Sequence, residues 1–507
     1  MSNNLLLKNA IANIISKIWS ITSVYLFVPL WISFVGIEGY GVISFYTVLV
    51  SILAFADAGL SATLTREFAK SNVSNTYQKN LLRTLEIIYV IIGSLLFLLV
   101  YFNAQYIVEK FLKADNIPLS SLILYVRIMG GILVMNMLFM LYSGGLMGLQ
   151  KQVYCNLLTV AYGISRSALV LIILYFFSST LSFLVWQFFS IFIVVLVARY
   201  KLYTFLDSRI KPSFGLIYLR KIWKYSLGLM LMAIIGSINT QLDKLTISNV
   251  LSLKDLGYYS LASTIGQAVT LLIVPVGQAI YPELTRLVSL GDRKNVNRYF
   301  LLFSFIITTI STIAGFTLFF YNNEYILLWT GDKDITAAIS MSSKILILAN
   351  IFLSLQYMPY YLALSHGHTK TNVQLGVCML CLTIPLTYSL TQEYGIRGAA
   401  IPFLLLNIVA FFVLSYIIYS KFLSNIKYLI IYSVIFPLLI SLIIISMGYW
   451  LCPNWIIGWY KVLYSLLIDL IALYFVVGLL LSQSHTLVEN NLYWKKISVF
   501  YPRFIFK

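Results

Sequence analysis

Several charged side chains fall inside long apolar runs of this sequence, where a charge is costly to bury. The in-run bases are Lys17, Arg127, Arg166, Lys244, Lys344 and Lys461, and the in-run acids are Asp57, Asp243 and Asp469. A charge at the centre of a bilayer costs from about 2.5 kcal/mol upward, so these side chains should face a bundle interior or a wet cavity. Their surplus of bases predicts a positive cavity, in which guanidinium groups bind phosphate or pyrophosphate through paired hydrogen bonds.

Each charge also has a structural interpretation. Lys17 lies near the start of the first run and can extend its amine to the headgroups, and Lys461 can anchor at the outer interface. Arg127 and Arg166 lie too deep for this, so structural ion pairs are their alternative. Asp57 is either a proton site or a tie between two helices.

A polar helix face surrounds Asp243 and Lys244, in the stretch 239–249. Adjacent helical residues do not face each other, so these two charges need separate partners or shared water. A polar face at this depth predicts cavity lining.

Covalent chemistry has little support in the sequence. No phosphate-binding GxxxxGK motif and no GxSxG nucleophile motif in a plausible setting is found, so neither ATP nor an enzymatic reaction is expected. Cys378 and Cys381 have CxxC spacing within an apolar run that lacks a second pair, and His366 and His368 lie on a short loop. We therefore predict no catalytic residue, no metal site and no cofactor.

Composition defines the elements that carry these charges. The chain has 507 residues, of which 60% are hydrophobic and 10% charged, and its mean hydropathy is +0.89. Such a surface cannot be kept in water, so we predict an all-α polytopic membrane protein. Its net charge of +18 lies mostly in loops. The charge therefore predicts topology rather than binding to nucleic acid.

About fourteen apolar runs are long enough to cross a bilayer as helices. They lie at 10–35, 41–63, 84–106, 119–147, 153–177, 181–205, 222–250, 257–282, 299–321, 338–364, 373–391, 398–420, 428–450 and 457–481. Loops rich in Lys and Arg alternate with loops rich in Asp and Glu, and basic loops are retained in the cytoplasm. Both termini belong to the basic set, which predicts that both are cytoplasmic.

A weak internal repeat predicts two lobes. Gly39-Tyr40 and Leu64-Thr-Arg66 match Gly257-Tyr258 and Leu284-Thr-Arg286, with six spans between the copies, so the repeats are parallel. The predicted organisation is an N-lobe at 1–210 with spans 1–6, a C-lobe at 211–425 with spans 7–12, two additional spans at 426–485, and a basic cytoplasmic tail at 486–507. Two lobes in a membrane protein indicate a transporter.

Three elements carry a family resemblance: Pro29 with Gly36-x-Glu38-x-Tyr40-Gly41, Asp57-x-Gly59-Leu60 with Arg66, and Asp243 with Gly257-x-Tyr259-Ser260 and Tyr281-Pro-Glu283. They resemble the polysaccharide transporter branch, with its O-antigen flippases, of the multidrug/oligosaccharidyl-lipid/polysaccharide (MOP) exporter superfamily. The resemblance covers most of the first twelve spans, with loose motifs.

This resemblance implies a flippase of the bacterial inner membrane. It would move undecaprenyl-pyrophosphate-linked O-antigen units from the cytoplasmic to the periplasmic leaflet by alternating access, coupled to a proton or sodium gradient and working beside other O-antigen assembly proteins. By the same resemblance, Arg127, Arg166, Lys244, Lys17 and Lys344 become bases of a cationic lumen, and Asp57 and Asp243 coupling or pairing acids.

Two alternatives stay open. A multidrug or cation exporter of the same superfamily should have buried acids without excess bases, the reverse of the balance here. An O-antigen polymerase or glycosyltransferase usually carries a large outer loop, and the predicted outer loops are short.

Overall fold

The computed structural model describes residues 3–53, 57, 59–70, 73–206, 212–423, 431–453 and 455–482. Within these ranges the chain forms helices joined by short connections, without β-strands, which confirms the predicted all-α polytopic fold. Its contacts divide it into two compact units, Met1–Gly257 and Tyr258–Lys507.

The first unit contains nine α-helices and the start of a tenth among its described residues. They are α1 (Asn3–Leu53), α2 (Leu60–Phe68), α3 (Asn75–Phe102), α4 (Ala104–Phe111), α5 (Leu119–Gly148), α6 (Gln152–Ile164), α7 (Val170–Phe176), α8 (Thr180–Phe205) and α9 (Leu216–Val250). A π-helical turn, Ser165–Leu169, joins α6 to α7. The contacts thus place the predicted seventh span with the first unit, whereas the predicted lobe boundary at 210/211 stays a prediction.

The second unit begins within α10 (Leu253–Ser289). It continues with α11 (Arg293–Phe320), α12 (Asn322–Thr330), α13 (Lys333–Leu355), α14 (Tyr357–Ser365), α15 (Thr369–Phe422), a π-helical turn (Ile431–Ile435), α16 (Phe436–Trp450) and α17 (Trp459–Ser482). Its apolar core joins α10, α11, α14 and α15 with side chains of α17. The predicted basic tail at 486–507 lies outside the described residues.

Eleven helical stretches of the described chain have the length and hydropathy needed to cross a membrane. Two of them, Ser16–Ile52 and Lys370–Phe422, each extend over two predicted spans. Helix α9 occupies the predicted seventh span. The observed helices therefore lie at the positions of all fourteen predicted runs, and this is a multi-pass membrane protein.

Two of the predicted acidic loops are instead sharp kinks within long helices, each at a single glycine. Gly36 has φ 72° and ψ 172° within α1, and Gly395 has φ 60° and ψ −139° within α15. A positive φ suits glycine because it has no Cβ to clash with the backbone. Each kink separates two apolar runs without a longer loop.

The second predicted span, 41–63, is not one continuous helix. Gly59 has φ 65°, in the left-handed region, and α2 begins directly after it at Leu60. Asp57 stabilises the new start, because its Oδ2 accepts hydrogen bonds from the backbone N–H and the hydroxyl of Ser61 at 3.4 and 2.7 Å. The apolar run predicted the membrane segment correctly but not this interruption.

Glu86 connects α3, α5 and α8 at their ends nearest the basic loops. Its Oε1 accepts hydrogen bonds from Tyr142 Oη at 2.9 Å and Arg199 Nε at 3.0 Å. Its Oε2 accepts from Tyr203 Oη at 2.8 Å and from an Arg83 guanidinium N–H at 3.2 Å. Four donors fill the acceptor positions of this buried carboxylate, so it is a structural tie within the first unit.

Candidate functional site

The π-helical turn Ser165–Leu169 is held by side chains of two other helices. Trp186 Nε1 donates to the carbonyl of Ser165 at 2.9 Å, Gln187 Nε2 donates to that of Arg166 at 2.9 Å, and Trp31 Nε1 donates to that of Ser167 at 3.2 Å. A π-turn interrupts the regular helical hydrogen-bond ladder, and these donors bond carbonyls at the interruption. Helices α1 and α8 therefore fix the backbone of Arg166.

Arg166 is half-buried, and its guanidinium carbon lies 5.6 Å from the centre of the Tyr162 ring. Tyr46, only 4% exposed, lies beside Asn136 and Tyr162 and within electrostatic reach of Arg166. We call Tyr46, Asn136, Tyr162 and Arg166 the Arg166 cluster. It combines one cation, whose backbone is held by α1 and α8, with neutral phenol and amide groups from α1, α5 and α6.

Buried polar atoms without partners surround this cluster. Within the described part of the chain, Gln187 Oε1 and Trp19 Nε1 make no hydrogen bond. Trp19 packs against Gly163, one residue beyond Tyr162. Buried polar groups are normally satisfied, so a concentration of such atoms marks a place where water or a ligand completes the bonding.

Arg127 has a similar environment on α5. Its guanidinium carbon lies 4.4 Å from the centre of the Tyr101 ring, and its Nε is buried without a hydrogen-bond partner in the described ranges. Neither Arg127 nor Arg166 has a described carboxylate within ion-pair distance. The described neighbours of the two guanidinium groups are therefore aromatic rings, and not the carboxylates that structural ion pairs would require.

Asp243 and Lys244 are half-buried on α9 in the first unit. Asp243 Oδ1 accepts a hydrogen bond from the backbone N–H of Lys244 at 2.8 Å, and the nearby Gln241 Oε1 is buried without a partner among described residues. At the end of this helix, Ser248 Oγ donates to the carbonyl of Phe111 at 2.6 Å. The predicted polar stretch thus belongs to the same compact unit as the Arg166 cluster.

Asp57 is 4% exposed, and its described partners are neutral. Besides Ser61, it accepts a hydrogen bond from the hydroxyl of Tyr89 on α3. These bonds tie the start of α2 to α3, and the role of Asp57 as a proton site stays a prediction.

Two predicted bases lie elsewhere. Lys17 is exposed on α1, which fits both an anchor and a binding base. Lys344 is half-buried on α13 in the second unit and lines a large cavity there. Lys461 makes an ion pair with Glu324 at the same cavity, and Asp469 accepts a hydrogen bond from Thr317.

The neutral half of the Arg166 cluster and the side chains that hold its turn are not predicted from the sequence. Tyr46, Asn136 and Gln187 lie within apolar runs and carry no charge, so an unpaired charge in a span does not mark them. Amides at mid-span are also unusual in a membrane, so Asn136 and Gln187 offered a usable signal.

The fold has clear counterparts among solved transporters. Lipid II flippase MurJ, in an inward closed conformation, is similar over 92% of this chain and 98% of its own, with a TM-score of 0.70 and 16% identity. An inward-facing multidrug resistance MATE family transporter of the MOP superfamily is similar over 83% and 99%, with a TM-score of 0.67 and 15% identity. The chain therefore has the fold of MOP-type transporters.

The family follows from sequence. The family model described as polysaccharide biosynthesis protein matches residues 6–288, more than half of the chain, and this protein belongs to that family. A putative O-antigen transporter of Shigella flexneri is 24% identical over 378 residues, which are 72% of this chain and 86% of that protein. The predicted superfamily and its polysaccharide branch are confirmed, and these relatives are transporters rather than enzymes.

Proposed function

We propose that this protein is a flippase that moves undecaprenyl-pyrophosphate-linked O-antigen or related oligosaccharide units from the cytoplasmic to the periplasmic leaflet of the bacterial inner membrane. Both termini are cytoplasmic in this proposal, and transport occurs by alternating access. The observation that carries it is the Arg166 cluster, in which a guanidinium on a held backbone lies among neutral phenol and amide groups within a polysaccharide-family transporter.

The cluster suits a pyrophosphate better than an organic cation. A guanidinium fork binds two phosphate oxygens at once, and a fixed backbone reduces the entropy lost on binding. The phenol groups of Tyr46 and Tyr162 lie beside it and can donate further hydrogen bonds. Arg127 adds a second guanidinium that no described carboxylate neutralises.

An ion gradient supplies the energy in this proposal, with a proton or sodium ion as coupling ion. Asp243 is the acid we assign to coupling, because it lies half-buried beside Lys244 on a polar helix. Asp57 is assigned to structure, because Tyr89 and Ser61 already bond to its carboxylate. Other O-antigen assembly proteins would supply and take up the lipid-linked sugar.

The test uses full-length protein in liposomes that contain undecaprenyl-pyrophosphate oligosaccharide. The fraction of lipid-linked sugar open to a membrane-impermeant glycosidase is measured with and without an imposed pH or sodium gradient. We expect protein-dependent transfer that a gradient alters. Arg166→Ala should abolish transfer, and Arg166→Lys should restore part of it, because the charge returns without the planar fork.

Arg293→Ala is the matched control, since Arg293 is an exposed arginine at the start of α11. It should transfer like the wild type. Full activity of Arg166→Ala would remove the cluster from the proposal. Transport of small organic cations without transfer of lipid-linked sugar would favour the multidrug exporter, and elongation of the sugar chain would favour a polymerase.

A further inference from the structure

The second unit contains a cavity of about 1210 Å³, well separated in sequence from the Arg166 cluster. Its walls come from α12, the first turns of α13 and the connection between α16 and α17. Arg397, just after the kink at Gly395, completes the lining. The last two helices, for which the sequence indicated no role, thus supply one wall.

The lining is strongly positive. Lys333, Lys344, Arg397 and Lys461 face a single acid, Glu324, which is already in an ion pair with Lys461. No described carboxylate lies within ion-pair distance of the other three bases. Three cations around one cavity repel each other, and an anionic ligand would relieve that repulsion.

Aromatic and polar groups complete the cavity. Trp450 and Trp459 line it while remaining 79% and 68% exposed, so other protein atoms leave most of each side chain uncovered. Ser340 Oγ donates to Asn323 Oδ1 at 2.6 Å, which leaves the Asn323 amide N–H groups able to donate. Indole faces stack on the C–H faces of sugar rings, and amides and hydroxyls bond to sugar hydroxyls.

We infer that this cavity binds an acidic saccharide, whose negative groups contact Lys333, Lys344 and Arg397 and whose sugar rings stack on Trp450 and Trp459. Drug-sized ligands occupy pockets of about 300–1,000 Å³, so this cavity has room for several linked sugar rings. The inference concerns binding alone and does not depend on the proposed transport. In the predicted topology the cavity opens on the periplasmic side.

The experiment measures binding by calorimetry to full-length protein in nanodiscs, with three probes: an oligogalacturonate, a neutral maltooligosaccharide of equal length, and inorganic pyrophosphate. We expect the acidic oligosaccharide to bind at least about tenfold more tightly than either other probe, the result of one lost charged hydrogen bond or more. The comparison separates a ligand recognised as a saccharide from one recognised as phosphate alone.

Two double variants locate the binding. Lys344→Ala with Arg397→Ala, and Trp450→Ala with Trp459→Ala, should each weaken oligogalacturonate binding about tenfold or more, whereas Arg293→Ala with Lys294→Ala, remote exposed bases, should not. Arg166→Ala should keep this binding even where it abolishes transport. Equal affinity for neutral and acidic chains, equal affinity for pyrophosphate, or unchanged binding in the cavity variants would overturn the inference. The last result would make the tryptophans interface anchors only.

Discussion

Gly41 and Leu253 make one of the closest backbone contacts of the first unit, because a Cβ on Gly41 would lie only 2.0 Å from the carbonyl oxygen of Leu253. A second contact of the same kind lies one helical turn away. There the glycine is on the other helix, and a Cβ on Gly257 would lie 2.5 Å from the carbonyl oxygen of Ile37. Glycines of the two repeat copies therefore bring the second half of α1 and the start of α10 into direct backbone contact.

Gly41→Ala should lower the thermal midpoint of the purified protein and reduce its free energy of unfolding by about 1–3 kcal/mol or more. The reason is that a backbone carbonyl cannot rotate out of the way as a side chain can. Thermal unfolding followed by intrinsic fluorescence would measure it. Gly376→Ala is the matched control, since a Cβ at Gly376 meets nothing within 4 Å. Equal midpoints for the two variants would contradict the tight crossing.

Trp186→Phe should reduce transfer of lipid-linked sugar while lowering stability by only about 1 kcal/mol. The change keeps an aromatic ring and removes the N–H that bonds to the carbonyl of Ser165, so the turn that carries Arg166 loses one support. Trp455→Phe, at a position 80% exposed, serves as the control. Transfer at the wild-type rate would mean that the bond does not position Arg166.

Glu86→Gln should destabilise the first unit by about 1–3 kcal/mol. The neutral amide leaves Arg83 and Arg199 without their counter-charge and points its N–H groups at donors. This loss of stability is smaller than the loss expected on breaking a fully buried ion pair, because both arginines are nearly half exposed. Thermal midpoints would be compared with those of Glu109→Gln, an exposed acid whose described partner is a glutamine. A midpoint no lower than that of the control would refute the tie.

Asp57→Asn and Tyr89→Phe should lower the thermal midpoint to a similar extent and leave the response of transfer to an ion gradient intact. Tyr89→Phe removes the donor of this buried hydrogen bond, and Asp57→Asn replaces its charged acceptor with a weaker, neutral amide oxygen. Asp243→Asn should instead abolish the gradient response and leave stability nearly unchanged. Gradient-dependent transfer measured beside unfolding separates the two acids, and loss of the gradient response in Asp57→Asn would reassign coupling to Asp57.

Much of the architecture could be predicted from hydropathy, because each apolar run must satisfy its backbone groups within a helix. Local torsions could not. The sequence predicts Gly36 and Gly395 as parts of loops, whereas in the structure they are kinks within helices. In the run at 41–63, only Gly59 indicates the helix interruption near Asp57. Hydropathy measures how apolar a segment is, not where its helix bends.

The candidate site was predictable only by charge. Arg166 stood out because a base within an apolar run is expensive, whereas Tyr46 and Trp186 resembled ordinary membrane aromatics. A π-helical turn depends on donors that come from other helices, here Trp31, Trp186 and Gln187. Those contacts join residues far apart in the chain, and no local pattern records them.

The carboxylate of Glu86 also limits how the first unit can move. Three of its hydrogen bonds join α3 to α5 and α8 at one end, whereas the π-turn at Ser165–Leu169 is a place where a neighbouring helix departs from regular geometry. A motion that spreads the clamped ends must break several charged bonds together. Separating α3, α5 and α8 at that end therefore costs more free energy than bending a segment that the carboxylate does not hold.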